Sequence, residues 1–381
     1  MSDKKIAIVT AVFPPYRGGI GTVALNQAVA LSERSCDITV FAPDYGFSPA
    51  KSISDGKFSL EFLKPIFKYG NAAFVPNLKK KFSAFDVVIL EYPFFGGMRA
   101  VYRAKKKYNF KLILNYNMDV VGRGLKGLVF WYATKVFLPK IVKISDIVLA
   151  SSVSYAKNSE LGKFWKDGDK FRVLPNGVDV SKFKPGDVDF EFKKMLNIKP
   201  DEKIILFVGG LDKAHYFKGV PNLIKAAKII EDLNFKIVIA GSGNLLSEYD
   251  GLARSIGVKD KILFAGSVSE KALVKLYRLA YLTCLPSEDK SESFGIVLVE
   301  SMASGTPVIA SNLPGVCSVF EDGISGFLVE SKNPKDLAEK ISYMIKNTSK
   351  REEMSHNCLE LVAKKYDSCK IGDKLRDIVV L

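Results

Sequence analysis

Histidine is almost missing from this chain: two in 381 residues, His215 and His356, which argues against a histidine-based triad or metal cluster. Cysteine is also sparse. Cys36, Cys284, Cys317, Cys358 and Cys369 are odd in number, widely spaced and without a Cys-x-x-Cys pair, which excludes a disulfide framework and a cysteine zinc site and points to a reducing compartment. A membrane span needs about 18 uncharged apolar residues. The best candidate, 128–150, is interrupted by Lys135, Lys140 and Lys143. The first residues run straight into a strand-like Ile6–Thr10 and lack the pattern of a signal peptide, so a cytoplasmic protein is expected. Neither low-complexity tracts nor short repeats occur. The two Asp-x-Asp matches, Asp167 with Asp169 and Asp187 with Asp189, fall in polar connecting segments, where they read as surface acids, and no metal is expected.

What the chain does have is excess positive charge, unevenly placed. Residues 1–150 carry 22 Lys and Arg against 10 Asp and Glu, a net +12, and the remainder only +3. That asymmetry suits a polyanionic partner such as an anionic membrane surface, a lipid phosphate or a nucleic acid. The charge concentrates in residues 64–82, including Lys79, Lys80 and Lys81, and in residues 124–140 around Trp131, where lysines interleave with aromatic rings. Such a mixture fits an interfacial contact, with rings at headgroup level and lysines on anionic lipid. It fits equally well a core helix containing Trp131 with solvated lysines. No nucleic-acid motif is present, so nucleic acid is not an expected partner.

The length suits two domains. Short apolar runs alternate with helical stretches in each half. In the first half the runs are Ile6–Thr10, Ile38–Phe41, Val87–Leu90, Leu112–Asn115 and Ile147–Ala150. In the second they are Ile204–Val208, Lys236–Ala240, Ile262–Ala265, Leu282–Leu285 and Val308–Ala310. Helical stretches such as Gly21–Leu31, Val220–Glu231 and Ser269–Ala280 lie between them. The alternation predicts an α/β chain with two doubly wound parallel sheets, separated by the polar passage Leu174–Asp187. In such sheets ligands bind beyond the carboxyl ends of the strands. Glycines cluster there: Gly18, Gly19 and Gly21, then Gly209 and Gly210, Gly241 and Gly243, and Gly266. Each is either turn punctuation or a place where backbone amides approach phosphate oxygens.

The most informative stretch is Ser291-Glu-Ser-Phe-Gly-Ile-Val-Leu-Val-Glu300. Its two carboxylates, Glu292 and Glu300, bracket an apolar run, and a buried carboxylate needs hydrogen-bond donors, which a ribose or hexose supplies. Ser293 is a good N-cap residue, and 294–304 has helical length before Gly305 and Pro307. The amides of Gly295, Ile296 and Val297 would then face a phosphate. The pattern reads as a sugar-nucleotide site, although spacing alone does not separate that from one surface and one buried carboxylate.

Together these motifs resemble the retaining glycosyltransferases of family 4, which have the GT-B fold of two Rossmann-like domains facing across a cleft. The resemblance runs nearly end to end: the paired glutamates, the following Ser301-Met-Ala-Ser-Gly-Thr-Pro-Val-Ile309, Pro314-Gly315, Pro286-Ser287, Gly266-Ser-Val268, Asp322–Val329, Pro175-Asn-Gly-Val-Asp179 and the Pro-Pro-x-x-Gly-Gly loop at 14–19. It implies an N-terminal acceptor domain over 1–173, a nucleotide-sugar domain over 174–360, and a final helix over 361–381 returning to the first domain. By resemblance, Glu300 would bind the ribose and Glu292 the transferred sugar. Ser293, Phe294, Gly295, Ile296 and Val297 would line sugar and diphosphate, Val268 would lie by the base, and Gly18 with Gly19 would cover the diphosphate. Lys218 would be the phosphate-binding lysine, stabilising the leaving group without a metal.

Two departures stand out. The family's usual arginine is Gly210 here, and Lys213 or His215 either supplies the missing cation or is loop surface. A frequent histidine is replaced by Asn117, which cannot take a proton but can hydrogen-bond a sugar hydroxyl. The expected reaction is metal-independent hexosyl transfer, with retention, from a UDP- or GDP-linked sugar to a glycan or lipid-linked acceptor, at the inner face of the cell membrane and without a cofactor. The rival readings are a sugar-nucleotide epimerase of the same fold and a non-catalytic sugar-nucleotide-binding protein.

Overall fold

The computed structural model describes residues 4–380 apart from 17, 47–55, 70–71, 121–123 and 167. Asp167 and part of the basic 64–82 segment therefore lie outside the described residues. The chain divides into two units: unit 1 comprises 1–177 and 368–381, and unit 2 comprises 178–367.

Unit 1 begins with β1 (Lys5–Val9), α1 (Gly19–Ser32), β2 (Asp37–Pro43) and β3 (Ser59–Leu63). A small antiparallel hairpin, β4 (Phe67–Tyr69) and β5 (Ala72–Phe74), follows. Then come β6 (Val87–Tyr92), α2 (Phe95–Lys105), β7 (Lys111–Tyr116), α3 (Gly124–Ile144), β8 (Ile147–Ala150), α4 (Val153–Asn158) and β9 (Phe171–Val173). Seven strands form one parallel sheet in the order β3-β2-β1-β6-β7-β8-β9. The continuous apolar sequences of the central strands β1, β6, β7 and β8 follow from burial on both faces, which a parallel sheet covered by helices requires.

Unit 2 contains α5 (Phe190–Met195), β10 (Lys203–Val208), α6 (Val220–Ile229), β11 (Phe235–Ala240), α7 (Leu246–Ser255), β12 (Ile262–Gly266) and α8 (Glu270–Leu279). It continues with β13 (Leu282–Leu285), α9 (Ile296–Ala303), β14 (Val308–Ser311), β15 (Gly326–Val329), α10 (Pro334–Lys346) and α11 (Thr348–Lys365). Its six-stranded parallel sheet has the order β12-β11-β10-β13-β14-β15. The last helix, α12 (Ser368–Val380), belongs to unit 1, where Ile371, Leu375, Ile378 and Val379 join the core beneath α1. The unit divisions fall at 177/178 and 367/368. Every strand read from the sequence is present within a residue or two; β3, the hairpin, β9 and β15 are additional.

Both sheets are doubly wound, and each has a switch point where the chain reverses its direction of growth. It lies between β1 and β6 in unit 1 and between β10 and β13 in unit 2. Loops leaving those strand ends diverge, which opens a crevice for a ligand.

One local expectation is corrected. The helix after Glu292 starts at Ile296, not Phe294, and its N-cap is Gly295 at φ 79° rather than Ser293. A left-handed turn at Gly295 swings the chain into the helix, a conformation glycine adopts without the penalty other residues incur. Trp131 is no core residue either: it is 60% exposed on α3.

Candidate functional site

The site in unit 2 is built on the loops that leave β10 and β13. A 3-10 turn, Tyr216–Lys218, precedes α6 and is tied to the loop after β13. Gly219, at φ 71°, lets the two backbones approach closely; a Cβ there would sit 1.9 Å from the Pro286 carbonyl oxygen. Further ties hold the loops together. Glu288 N donates to Phe217 O at 2.6 Å, Asn222 Nδ2 to Glu288 Oε1 at 2.9 Å and the Tyr216 hydroxyl to Asp289 Oδ2 at 3.0 Å.

This arrangement brings Lys218 Nζ to 2.8 Å from Glu292 Oε2, although the residues are 74 positions apart. Both side chains are largely withdrawn from water, 15% and 9% exposed. Ser287 Oγ adds a second hydrogen bond to Glu292 Oε2 at 3.1 Å. Gly209 makes the approach possible: a Cβ at that position would meet Lys218 Cδ at 2.7 Å. An ammonium has three donors, so Lys218 keeps two beyond the one given to Glu292.

The start of α9 adjoins this pair. Leu298 N donates to Gly295 O, and the amides of Ile296 and Val297 find no acceptor among the described residues. Unpaired N–H groups at a positive helix end attract anions. Pro314-Gly315 packs on the same turn, where a Cβ on Gly315 would lie 2.5 Å from Ser293 backbone atoms.

Glu300, one turn into α9, is half-buried and accepts a 2.8 Å hydrogen bond from the Tyr277 hydroxyl. Burial raises its pKa to about 7, opposed by the Tyr277 hydrogen bond and the positive charge of Lys182. Burial, with the neighbouring carboxylate, raises the Tyr277 phenol well above its ordinary value, so Tyr277 remains a donor.

The other expected residues divide. Val268 is half-buried between β12 and α8, and Lys213 is exposed, with its amide bonded to Asn244 Oδ1. His215 Nδ1 lies 2.9 Å from Asp212 Oδ2, and a Cβ on Gly210 would strike that ring at 2.7 Å. The imidazole thus occupies space beside Gly210 that a side chain there would need. Gly209 N donates to Ala240 O at 3.0 Å and Gly241 N to Gly266 O at 2.8 Å, so those two amides do not stand free for a phosphate oxygen. Gly241 and Gly243 are held by close backbone packing, since Cβ atoms on them would fall 1.8 Å from Gly209 O and 2.1 Å from Leu211 C. The Phe294 ring is buried against Tyr366. Asp189 caps α5 and pairs with Lys275 at 2.7 Å. His356 is on the surface of α11.

In unit 1, Gly18 is half-buried and Gly19 exposed at the start of α1, on the loop leaving β1. Asn117 follows the end of β7, half-buried, and donates to Glu91 Oε2 at 2.6 Å. Glu91, Tyr277 and Asn115 were not foreseen from the sequence, and Ser287 entered only within the Pro286-Ser287 motif, without a role. Only Glu91 carried a visible signal, a lone charge inside the apolar strand Val87–Tyr92.

Comparison with known proteins gives a consistent assignment. Residues 188–360 match the family described as "Glycosyl transferases group 1", and residues 17–182 match "Glycosyltransferase Family 4". An uncharacterized glycosyltransferase from Methanocaldococcus jannaschii is 36% identical over 202 residues, covering 52% of this chain and 50% of that protein. A D-inositol 3-phosphate glycosyltransferase from Acidothermus cellulolyticus is 36% identical over 188 residues, 46% of this chain and 41% of that protein. The chain thus spans about half the length of the curated relatives it matches, or less. Among solved structures, the HepE protein of Anabaena in complex with UDP superposes with a TM-score of 0.81 at 17% identity, covering 99% of both chains. Sucrose-phosphate synthase from Thermosynechococcus elongatus gives 0.80 at 20% identity, covering 98% of both chains. At those identities the likeness concerns the fold.

Proposed function

Because its two units carry the paired domains of a GT-B glycosyltransferase of the family 4 type, we propose that the chain moves a hexose from a UDP-linked sugar to a glycan or lipid-linked hydroxyl, with retention at the anomeric carbon. The observation that carries this reading is the Lys218–Glu292 pair beside the free amides of α9, at the switch point of unit 2. UDP is favoured over GDP because the HepE structures are complexes with UDP and with UDP-glucose.

Each group has a role that follows from its chemistry. Glu300 accepts hydrogen bonds from the ribose, and Glu292 accepts them from hydroxyls of the hexose. The two remaining Lys218 donors and the amides of Ile296 and Val297 bind the diphosphate. As the bond between anomeric carbon and diphosphate oxygen breaks, negative charge grows on that oxygen, and fixed donors stabilise it most at that moment. The acceptor oxygen bonds to the anomeric carbon on the same face, and the departing oxygen takes its proton. This route needs no protein base, which agrees with an asparagine at position 117.

A membrane-associated acceptor is supported by unit 1. Ile66 and Phe67 on the hairpin are 73% and 66% exposed, and Trp131 and Tyr132 on α3 are similarly open. Both elements pack beside α2. Rings and lysines so placed fit the headgroup region of an anionic bilayer at the inner membrane face.

The test is incubation with UDP-glucose alone and with a hydroxyl acceptor, followed by NMR of the product anomer. Retention, with dependence on Lys218 and Glu292, is expected. An inverted product, an epimerised sugar nucleotide, or binding without turnover under all conditions would sink the proposal.

A further inference from the structure

Unit 1 has its own switch point, and a buried carboxylate marks it. Glu91 is the penultimate residue of β6, fully buried within an otherwise apolar central strand. An ionised carboxylate there is costly, and a hydrophobic residue of similar volume would stabilise the sheet as well or better. Retention of the charge requires another reason.

Its partners supply one. Glu91 lies opposite Asn115 on β7, and its Oε2 accepts hydrogen bonds from Asn115 Nδ2 at 2.8 Å and Asn117 Nδ2 at 2.6 Å. Its Oε1 is buried with no hydrogen-bond partner among the described residues. Asn117 Nδ2 also reaches Asn115 O at 3.4 Å, so both of its hydrogens face inward. Its Oδ1 has only a marginal 3.5 Å contact with Asn115 Nδ2. A carboxylate can only accept, so it fixes which end of the Asn117 carboxamide turns toward it. A neutral or donating group in its place would allow the amide to flip and present a donor instead.

We propose that Glu91 is a positioning residue that locks Asn117 with its carboxamide oxygen available to a substrate hydroxyl at the switch point of unit 1. This rests on the glycosyltransferase reading, and the hydroxyl comes either from the transferred sugar or from the acceptor. Burial raises the Glu91 pKa to about 7, and the hydrogen bonds from the two carboxamides, which favour the ionised form, oppose that rise, so the lock strengthens as Glu91 ionises.

The experiment compares wild type with Glu91→Gln, Asn117→Asp and the double variant, using UDP, UDP-glucose and free glucose as probes. In wild type the 15N side-chain resonances of Asn115 and Asn117 should move together with a midpoint near pH 7 and lose that titration in Glu91→Gln. Glu91→Gln should slow UDP-glucose turnover about 10- to 100-fold, the effect of one reversed hydrogen bond at a buried site. UDP affinity should be unchanged. The double variant should recover at least about tenfold, because the carboxamide then at position 91 donates to the carboxylate at position 117, and an acceptor oxygen faces the substrate again. A loss confined to UDP-glucose affinity assigns the hydroxyl to the transferred sugar; a loss confined to transfer onto glucose assigns it to the acceptor. Unlinked or absent titrations, full activity of Glu91→Gln, or a double variant no better than Glu91→Gln would overturn the lock. Failure of the wild type to bind UDP or consume UDP-glucose would instead count against the glycosyltransferase reading, while the resonances still decide whether Glu91 holds Asn117.

Discussion

Lys218 Nζ and Glu292 Oε2 form a 2.8 Å ion pair that joins the loop after β10 to the loop after β13 across the switch point of unit 2. The pair both holds the two loops together and presents charge where a diphosphate sugar would bind. Those two contributions separate experimentally. Lys218→Met leaves Glu292 buried with the Ser287 hydroxyl still donating to it, and should cost about 3 kcal/mol of stability and 10²- to 10³-fold in turnover. Adding Glu292→Gln should restore most of the melting temperature and none of the turnover. Recovery of both would reduce the pair to a structural tie.

Glu300 gives a pH dependence with a definite sign. If ribose hydroxyls donate to the ionised carboxylate, as proposed, UDP-glucose affinity should rise as pH increases through about 7. Glu300→Gln should flatten that profile. Tyr277→Phe removes a hydrogen bond that lowers the Glu300 pKa, and should move the midpoint upward. Isothermal titration between about pH 5.5 and 8.5, a range that brackets both protonation states, measures all three. A flat wild-type profile would contradict the ribose assignment.

Glu91 makes folding stability depend on pH in the opposite sense to an ordinary paired carboxylate. Its folded pKa of about 7 lies above the ordinary value of 4.5, so the folded state binds more protons between those values. Its contribution is fully present below about 4.5, declines as pH rises toward 7 and is lost above it, a change of about 3 kcal/mol. Relative to wild type, Glu91→Gln should therefore gain melting temperature on going from about pH 5 to about pH 8. A constant difference across that range would exclude a raised pKa.

The glycines separate packing from ligand contact. Gly241→Ala would drive a methyl into Gly209 O and should lower stability markedly, without ligand. Gly19 has open space around its added Cβ, so Gly19→Ala should fold with an unchanged melting temperature. Any loss of UDP-glucose turnover in that variant then reports contact with substrate.

The proposed membrane association rests on exposed rings and lysines in unit 1. Lys79→Gln with Lys80→Gln should weaken binding to vesicles containing anionic lipid by about 2 kcal/mol, roughly 30-fold. Lys81 should matter less, because it is paired with Glu61 at 2.6 Å. Vesicle sedimentation at two salt concentrations tests this, and unchanged, salt-sensitive binding would remove those lysines from the contact.

The sequence by itself determined the alternation of strands and helices, because a doubly covered parallel sheet demands short apolar runs such as Val87–Tyr92 and Lys203–Val208 at regular spacing. It also brought Glu292 and Glu300 into view, since two carboxylates in an apolar run are conspicuous without coordinates. Local pattern did not carry the helix start at Gly295, because Ser293 looks like a cap and only the backbone path shows that glycine makes the turn. Tertiary structure alone decided the pairings. Lys218 with Glu292, Tyr277 with Glu300 and Asn117 with Glu91 are 74, 23 and 26 positions apart. The first and last are fixed by which strand ends become neighbours and the second by how α8 and α9 pack, properties of sheet order and crossover packing that no local spacing encodes.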